Sequence, residues 1–350
     1  MKEEFNLQNL VRSNVRKLQG YASARDEFKA NKTGMTFLDA NENPFENGLN
    51  RYPDPQQREL KSALAKLKNV KPTQILLGNG SDEVLDLLFR AFCEPKEDNV
   101  ITLPPSYGMY RVLAEINAIE NREVFLDKDF EPHLRAILEQ QDNNTKLLFI
   151  CSPNNPTGNS FDARSLKNLL ENFNGLVVID EAYIDFSTYE SWVNFLDIYP
   201  NLVVVQTMSK AYGMAGIRLG IAYASVEIIT VLNKIKPPYN INEVTQQHAL
   251  KRVLDINNVM DEVETMLKQR EQLIPELSSI GYIEKVYSSD ANFVLVKVDN
   301  ALQRYQELIQ KGIVVRNRTQ DPLCDNTLRF SIGTPEENQK LLQVLKEMDL

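Results

Sequence analysis

The sequence is poor in the residues on which several kinds of chemistry depend. It has only 3 cysteines, Cys93, Cys151 and Cys324, widely spaced and without a CxxC pair. That spacing suggests neither a disulfide framework nor a zinc site, and small buried residues are expected instead. Its 2 histidines, His133 and His248, stand far apart and outside any HExxH arrangement. Histidine-based catalysis and metal-assisted hydrolysis are therefore disfavoured, and structural or surface roles are expected for both. No apolar run approaches the ~20 residues that span a bilayer. The first twenty or so residues mix charges with scattered leucines, unlike the apolar block of a signal peptide. The expectation is a cytoplasmic protein with no membrane partner. Positive charge is also short, with 39 Lys and Arg against 48 Asp and Glu and a net charge of -9. That balance argues against bulk attraction to nucleic acid, so an anionic ligand must be held by a local cluster of Arg and Lys.

What is present points to a two-domain enzyme. A chain of 350 residues is too long for one compact core, yet no repeat, low-complexity stretch or long Gly/Ser linker divides it. Short apolar runs alternate with amphipathic segments, the pattern of a mostly parallel sheet covered by helices. The expected strands are Ile75–Leu77, Val100–Leu103, Leu147–Cys151, Leu176–Asp180, Leu202–Thr207 and Leu219–Tyr223. Helices are expected over Gln56–Leu67, Asp82–Phe92, Tyr107–Asn117 and Ala163–Asn172, where apolar residues recur at helical spacing. Pro237 and Pro238 stop any helix and suit an interdomain hinge. Beyond them come a long charged helical stretch, from about Asn242 to Ser279, and strands near Asn292–Val298, Ile313–Arg316 and Leu328–Ile332. The expected organisation is an N-terminal segment, 1–36, packing on the small domain, a large domain, 37–242, and a small α+β domain, 243–350.

Ligands of open α/β sheets bind beyond the carboxyl ends of the strands, and here those ends carry reactive residues. Leu147–Cys151 runs into Ser152-Pro153-Asn154-Asn155-Pro156-Thr157-Gly158. Leu176–Ile179 runs into Asp180-Glu181-Ala182-Tyr183. Leu202–Thr207 runs into Met208-Ser209-Lys210, followed by a glycine-rich stretch to Arg218. Pyridoxal phosphate (PLP) chemistry asks for such a set. It needs a desolvated amine near cations for the Schiff base, and a carboxylate that keeps the pyridine nitrogen protonated. It also needs donors to the phenolic oxygen, and a nest of N–H groups plus an arginine for the phosphate. Lys210, Asp180, Asn155 with Tyr183, and Gly80-Ser81-Asp82 with Ser209 and Arg218 supply them in that order.

These motifs, taken jointly, resemble those of the fold-type I PLP enzymes. Within that group the chain is similar to the histidinol-phosphate aminotransferases, nearly along its whole length. The narrower likeness rests on Leu38-Asp39-Ala40-Asn41-Glu42-Asn43-Pro44, Arg51-Tyr52-Pro53-Asp54, Gly80-Ser81-Asp82-Glu83 and Ile313-Val314-Val315-Arg316. The resemblance implies an α/β fold in which a mostly parallel seven-stranded sheet lies between helices, beside a smaller α+β domain. It implies that Lys210 binds the cofactor and then moves the proton between substrate Cα and cofactor C4′. It pairs Asp180 with the pyridine nitrogen, sets Asn155 and Tyr183 on the phenolic oxygen, and stacks Tyr107 on the ring. Ser81 and Asp82, through their N–H groups, would hold the phosphate with Ser209 and Arg218. Tyr52 would reach the phosphate of a neighbouring subunit, making a homodimer the working unit. Tyr21, Arg316 and Arg329 match positions that handle the substrate phosphate or carboxylate.

Blander readings stand beside these. Asp180 could cap a helix, Asn155 could be a turn residue, and Ser81 with Asp82 and Glu83 makes an ordinary helix start. Gly78-Asn79-Gly80 invites a dinucleotide reading, but Glu83 occupies the place of the third glycine. Arg316 and Arg329 could pair with Asp321 or Asp325 at the surface, and Asp54 could cap the helix after Pro55. The expected reaction is amino transfer between L-histidinol phosphate and 2-oxoglutarate, giving imidazole acetol phosphate and L-glutamate in histidine biosynthesis. On the same scaffold, an aromatic or broad-range aminotransferase and a threonine-phosphate decarboxylase remain open. A PLP-binding regulatory module is a rival of another class. It would need an attached DNA-binding domain, for which about 35 leading residues are few.

Overall fold

A computed structural model of the chain describes residues 5–21, 23 and 35–349. Its largest element is a seven-stranded sheet with strand order β1-β7-β6-β5-β4-β2-β3. The strands are β1 (Ile75–Asn79), β2 (Asn99–Thr102), β3 (Glu120–Glu123), β4 (Thr145–Cys151), β5 (Leu176–Asp180), β6 (Leu202–Thr207) and β7 (Leu219–Ala224). All neighbours pair in parallel except β7, which runs antiparallel to β1 and β6. The central strands β5, β6 and β7 are buried along their whole length, as an apolar run must be when helices cover both faces of a sheet. Alternate residues serve the two faces. Leu148, Ile150, Val177, Ile179 and Val204 face one apolar cluster, and Leu147, Phe149, Leu176, Val178 and Val203 face the other.

The helices covering this sheet are α2 (Arg58–Lys68), α3 (Gly80–Phe92), α4 (Met109–Ile116), α5 (Leu134–Gln140), α6 (Ala163–Asn172) and α7 (Val226–Ile235), after a short α1 (Ser13–Lys17). Helix α6 shows why they form where they do. Leu166, Leu169 and Leu170 make one buried stripe, and the Asp162 side chain accepts from the Ser165 N–H as an N-cap, which closes a donor the helix cannot satisfy itself. The N-cap of α2 is Gln57, without a side-chain cap bond; Asp54, three residues upstream of it, accepts from the N–H of Arg58 at 2.7 Å. His133 caps α5 through Nδ1, and all three cysteines are buried. Both observations agree with structural roles.

A second, four-stranded antiparallel sheet has the order β10-β11-β9-β8, from β8 (Ile283–Val286), β9 (Phe293–Val298), β10 (Arg316–Asn317) and β11 (Thr327–Ser331). Leu273, Leu277, Val294, Val296, Leu328, Phe330 and Leu345 form its own core. The helices here are α8 (Glu243–Leu254), α9 (Ile256–Ser278), α10 (Ala301–Gln310) and α11 (Pro335–Glu347). The single helical stretch expected over 242–279 is thus two helices that break at Asp255. The first, α8, lies against α2, and Thr245 Oγ1 in it donates to the carbonyl of Ile217 at 3.2 Å.

One expectation is corrected by the structure. Residues 7–17 do not pack on the small unit. Leu7, Val11 and Val15 are buried against the helices of the large sheet. The Arg12 N–H donates to the carbonyl of Ala91 at the end of α3, and Lys234 Nζ in α7 donates to the carbonyl of Arg16 at 3.2 Å. Leu7 lies in a 3-10 turn, Val11 in the bend after it and Val15 in α1, and together they bury their apolar side chains against the helices of the large sheet. Residues 22 and 24–34 lie outside the described ones. Among the described residues no helix is long and apolar enough to cross a membrane.

Candidate active site

The carboxyl ends of β4, β5 and β6 and the start of α3 meet at one cleft with about 490 Å³ of open space. It is lined by Ser81, Asp82, Tyr107, Cys151, Asn155, Asp180, Ala182, Tyr183, Thr207, Ser209, Lys210 and Arg218. Ten of the residues expected from the sequence are therefore in or at this cleft, counting Gly80, which adjoins Ser81. More open clefts, one around Arg316 and one around Tyr52, lack a buried acid facing an amine.

Asp180 closes the floor. It ends an apolar strand and is buried, so its ionised form needs donors. Tyr110 supplies one, its hydroxyl donating to Oδ2 at 2.8 Å, and the Ala182 N–H supplies another to Oδ1 at 3.1 Å. Burial pushes the carboxyl up to about 6, while Tyr110 and the Ala182 amide pull the other way. Lys210, in the turn after β6, holds Nζ 5.5 Å from the centre of the Tyr183 ring. Burial lowers its pKa, and the cations Arg329 and Arg218 add to that. A lysine so placed loses its proton more readily than a solvated one.

The opposite end is a cup of backbone and cation. Gly80 opens α3 with φ +76, and a Cβ there would lie 2.6 Å from Arg218 Nη2. A Cβ on Gly220 would lie 2.3 Å from the backbone of Gly80 and from Ser81 N. Gly220 needs to be glycine because two backbone segments pass so closely there, and Gly80 because of its positive φ. The Gly80 N–H donates to the carbonyl of Arg218 at 2.8 Å. Arg218 is itself left-handed, with φ 53, and its guanidinium stands 3.5 Å from Asp82. Tyr107 donates to the other oxygen of Asp82 at 3.0 Å. Thr207 orders Ser209 by accepting from its N–H at 3.1 Å and donating to its hydroxyl at 3.0 Å. The free first-turn amides of α3, Ser209 and Arg218 together form an anion cup.

The small sheet contributes Arg329. Its Nη1 donates to Oδ1 of Asn155, and its guanidinium lies 5.0 Å over the ring of Phe293. Arg316 pairs directly with Arg329 across β10 and β11. Its exposed side chain lines the neighbouring cleft with Val314 and Lys340. The surface pairing considered for these arginines is not what forms, since Asp321 is taken by Arg318 at 2.5 Å. Tyr52 and Tyr21 are not brought to the cleft. Tyr52 is 52% exposed and stacks on Tyr239 at 4.6 Å, and Tyr21 is 75% exposed. Among the described residues no group of three or more His, Cys, Asp or Glu side chains could hold a metal.

Residues 33–345 match the family model described as aminotransferase class I and II. The chain belongs to that aminotransferase family. Among relatives, it is 62% identical to a histidinol-phosphate aminotransferase of Flavobacterium johnsoniae, over 98% of each chain. It is 60% identical to one of Flavobacterium psychrophilum, over 98% of this chain and 99% of that one. Among solved structures, the histidinol-phosphate aminotransferase of Clostridium acetobutylicum matches with a TM-score of 0.80 at 28% identity, covering 86% of this chain and 91% of the other. The fold is accordingly that of the fold-type I PLP aminotransferases, as the motifs led one to expect.

Two groups at the centre of this aminotransferase escaped sequence reasoning. Tyr110 lies three residues after Tyr107, which stands in the turn before α4, and that spacing within the expected helix 107–117 was the available signal for a second tyrosine directed at the same cleft. Glu83 was read only as a helix-start acid. It accepts from the Asn79 N–H at 2.6 Å and from Asn240 Nδ2 at 2.9 Å, tying the anion cup to the proline-flanked segment after α7. Nothing local in the sequence signals that long-range contact.

Proposed function

We propose that the chain uses pyridoxal 5′-phosphate to transfer an amino group from L-histidinol phosphate to 2-oxoglutarate, giving imidazole acetol phosphate and L-glutamate in histidine biosynthesis. The observation that carries this reading is the alignment, in one cleft, of a depressed lysine, a buried carboxylate and an anion cup, in a chain 62% identical to an enzyme of that name. The cofactor fits the residues present. Ser81, Asp82, Ser209 and Arg218 line one end of the cleft with donors suited to a phosphate, and Asp180 sets a buried acid at the other, suited to a protonated ring nitrogen. When bound, the cofactor supplies a protonated ring that withdraws electrons from the substrate Cα.

The chain's own residues do the rest. Lys210 would attach the cofactor through Nζ and, as the free amine, would carry the proton between substrate Cα and cofactor C4′. Asp180 holds the ring nitrogen's proton by staying ionised. Asn155 gives its Oδ1 to Arg329, which leaves Nδ2 to donate to the phenolic oxygen alongside the Tyr183 hydroxyl. Tyr107 covers the ring. Ser81 and Asp82 would hold the phosphate through their N–H groups at the helix start, with Ser209 and Arg218, while Gly80, whose N–H is taken by the Arg218 carbonyl, lets the backbone make the turn there. Arg329, a guanidinium on a rigid strand, binds the substrate's phosphate in one half-reaction and a carboxylate in the other. Arg316 and Tyr21 contribute to the phosphate.

The working unit is a homodimer, and Tyr52 acts in the neighbouring site. Leu38, Phe45, Leu49 and Tyr52 expose large apolar groups within fifteen residues of one another, a density that marks a covered surface. The division at 242/243, with activity in the cytoplasm, completes this reading. Borohydride reduction of the PLP-loaded protein followed by peptide mass analysis tests the anchor. The adduct is expected on Lys210 and absent from Lys210→Ala; an adduct on another lysine overturns the assignment.

A further inference from the structure

Tyr107 in the turn before α4 and Tyr110 in its first turn are three residues apart, joined by the Tyr110 N–H to the Tyr107 carbonyl, and each holds a different carboxylate of the cleft. Tyr107 donates to Asp82, at the anion cup. Tyr110 donates to Asp180, at the ring end. Tyr110 is among the most completely buried large side chains in the protein. Its ring is clamped by a stack on Phe149, with centroids 5.0 Å apart and planes 15° from parallel, and Phe149 stacks in turn on Phe89. Tyr107 packs edge-on against it at 5.6 Å. The ring therefore has little freedom to swing, and its hydroxyl lies between the Asp180 carboxylate and the Cys151 thiol.

From this geometry we propose that Tyr110 is a positioning residue, whose phenol fixes the direction of the Asp180 carboxylate and keeps it ionised toward the cofactor ring nitrogen. The inference rests on the PLP reading above. Asp180 is held from two elements, by the Ala182 amide from its own loop and by Tyr110 from α4. The charged and titratable groups facing it are Asp82 from α3, Tyr107 from the turn before α4, Tyr110 from α4, Cys151 from β4, Tyr183 after β5, and Lys210 beyond β6. Asp82 disfavours its charge and Lys210 favours it. The phenol stays protonated throughout, because burial and the adjacent Asp180 push its own ionisation far up. It is thus a fixed donor, not an acid that exchanges its proton. A donor to an ionised carboxylate stabilises that form. Its removal raises the pH at which Asp180 takes up a proton.

Tyr110→Phe deletes the hydroxyl and keeps the stack. The wild-type protein is first loaded with PLP and trapped with borohydride, so that failure of the cofactor reading shows before any variant is measured. Three quantities are then compared in wild type, Tyr110→Phe, Asp180→Asn and the double variant. They are the PLP dissociation constant from titration of the apo-protein, the acid limb of the single-turnover rate against pH, and the thermal unfolding of the apo-protein. A hydrogen bond to a charged group supports an effect of roughly tenfold. Tyr110→Phe is expected to weaken PLP binding about tenfold and to move the acid limb upward by about one pH unit. In the Asp180→Asn background the same change should have little effect on either quantity, since the charge it serves is gone. An unmoved acid limb, or equal losses in both backgrounds, overturns the proposal and leaves Tyr110 as packing alone.

Discussion

Arg329 carries the account of how one pocket accepts both a phosphate and a dicarboxylate. Its guanidinium is largely enclosed, between the Phe293 ring and the amide of Asn155, and burial pulls its pKa below the ordinary arginine value. A half-buried cation whose direct partner is a neutral amide is incompletely compensated, and an anionic substrate group would complete it. Arg329→Gln keeps an amide donor and removes the charge and the fork. Loss of a charge-assisted contact is worth about 2 kcal/mol, or roughly thirtyfold in kcat/KM. An arginine serving only an exposed ion pair would lose about 0–1 kcal/mol, no more than roughly fivefold. The two half-reactions are followed separately by cofactor absorbance, with histidinol phosphate and with glutamate as donors. Arg329→Gln is expected to impair both by more than tenfold. Arg316→Gln and Tyr21→Phe are expected to penalise histidinol phosphate more than unphosphorylated histidinol. If an arginine variant leaves that discrimination unchanged, the arginine is not a phosphate ligand.

Asp180→Asn cannot hold the ring nitrogen's charge, so the single-turnover rate should collapse while PLP stays bound through its other contacts; near-normal rates would refute the role. Mixing Lys210→Ala chains with Tyr52→Phe chains should restore one wild-type site per heterodimer. No recovery after verified subunit exchange would remove Tyr52 from the neighbouring site. Lys61 tests the electrostatics away from catalysis. Burial, with Lys236 nearby, drops its pKa from 10.5 to about 8. Its folded value lies below its unfolded one, so the unfolded chain binds more protons between these limits and stability rises with pH through that window. Below about pH 8 the penalty is full, roughly 3 kcal/mol. Lys61→Met should raise the unfolding temperature at pH 7 and flatten the rise between pH 8 and 10.5, as calorimetry would show; a lower unfolding temperature would contradict it.

The legible and illegible parts of this chain separate by range. Strands β5 and β6 were read within their true bounds because an apolar run between turn formers is a local signal, and α6 because its leucines recur at helical spacing. The exposed edge strand β3, Glu-Asn-Arg-Glu, carries no apolar alternation and was missed. So was β8, whose middle residues face solvent. The placement of the N-terminal segment failed for another reason: Leu7, Val11 and Val15 announce a buried stripe, but not which groove receives it. At the site, Lys210, Asp180 and Asn155 stand just after strand ends, so sequence order sufficed to expect them in one cleft. Tyr110 and Glu83 act through partners 70 and 157 residues away, and only the folded chain brings those together.

The most direct test is amino transfer by the purified, PLP-loaded protein. Histidinol phosphate, phenylalanine and threonine phosphate are each supplied with 2-oxoglutarate, and glutamate and released carbon dioxide are measured. Glutamate formed fastest with histidinol phosphate, with no carbon dioxide released, is the expected result. Faster transfer from phenylalanine, or carbon dioxide from threonine phosphate without glutamate, would contradict the assigned substrate.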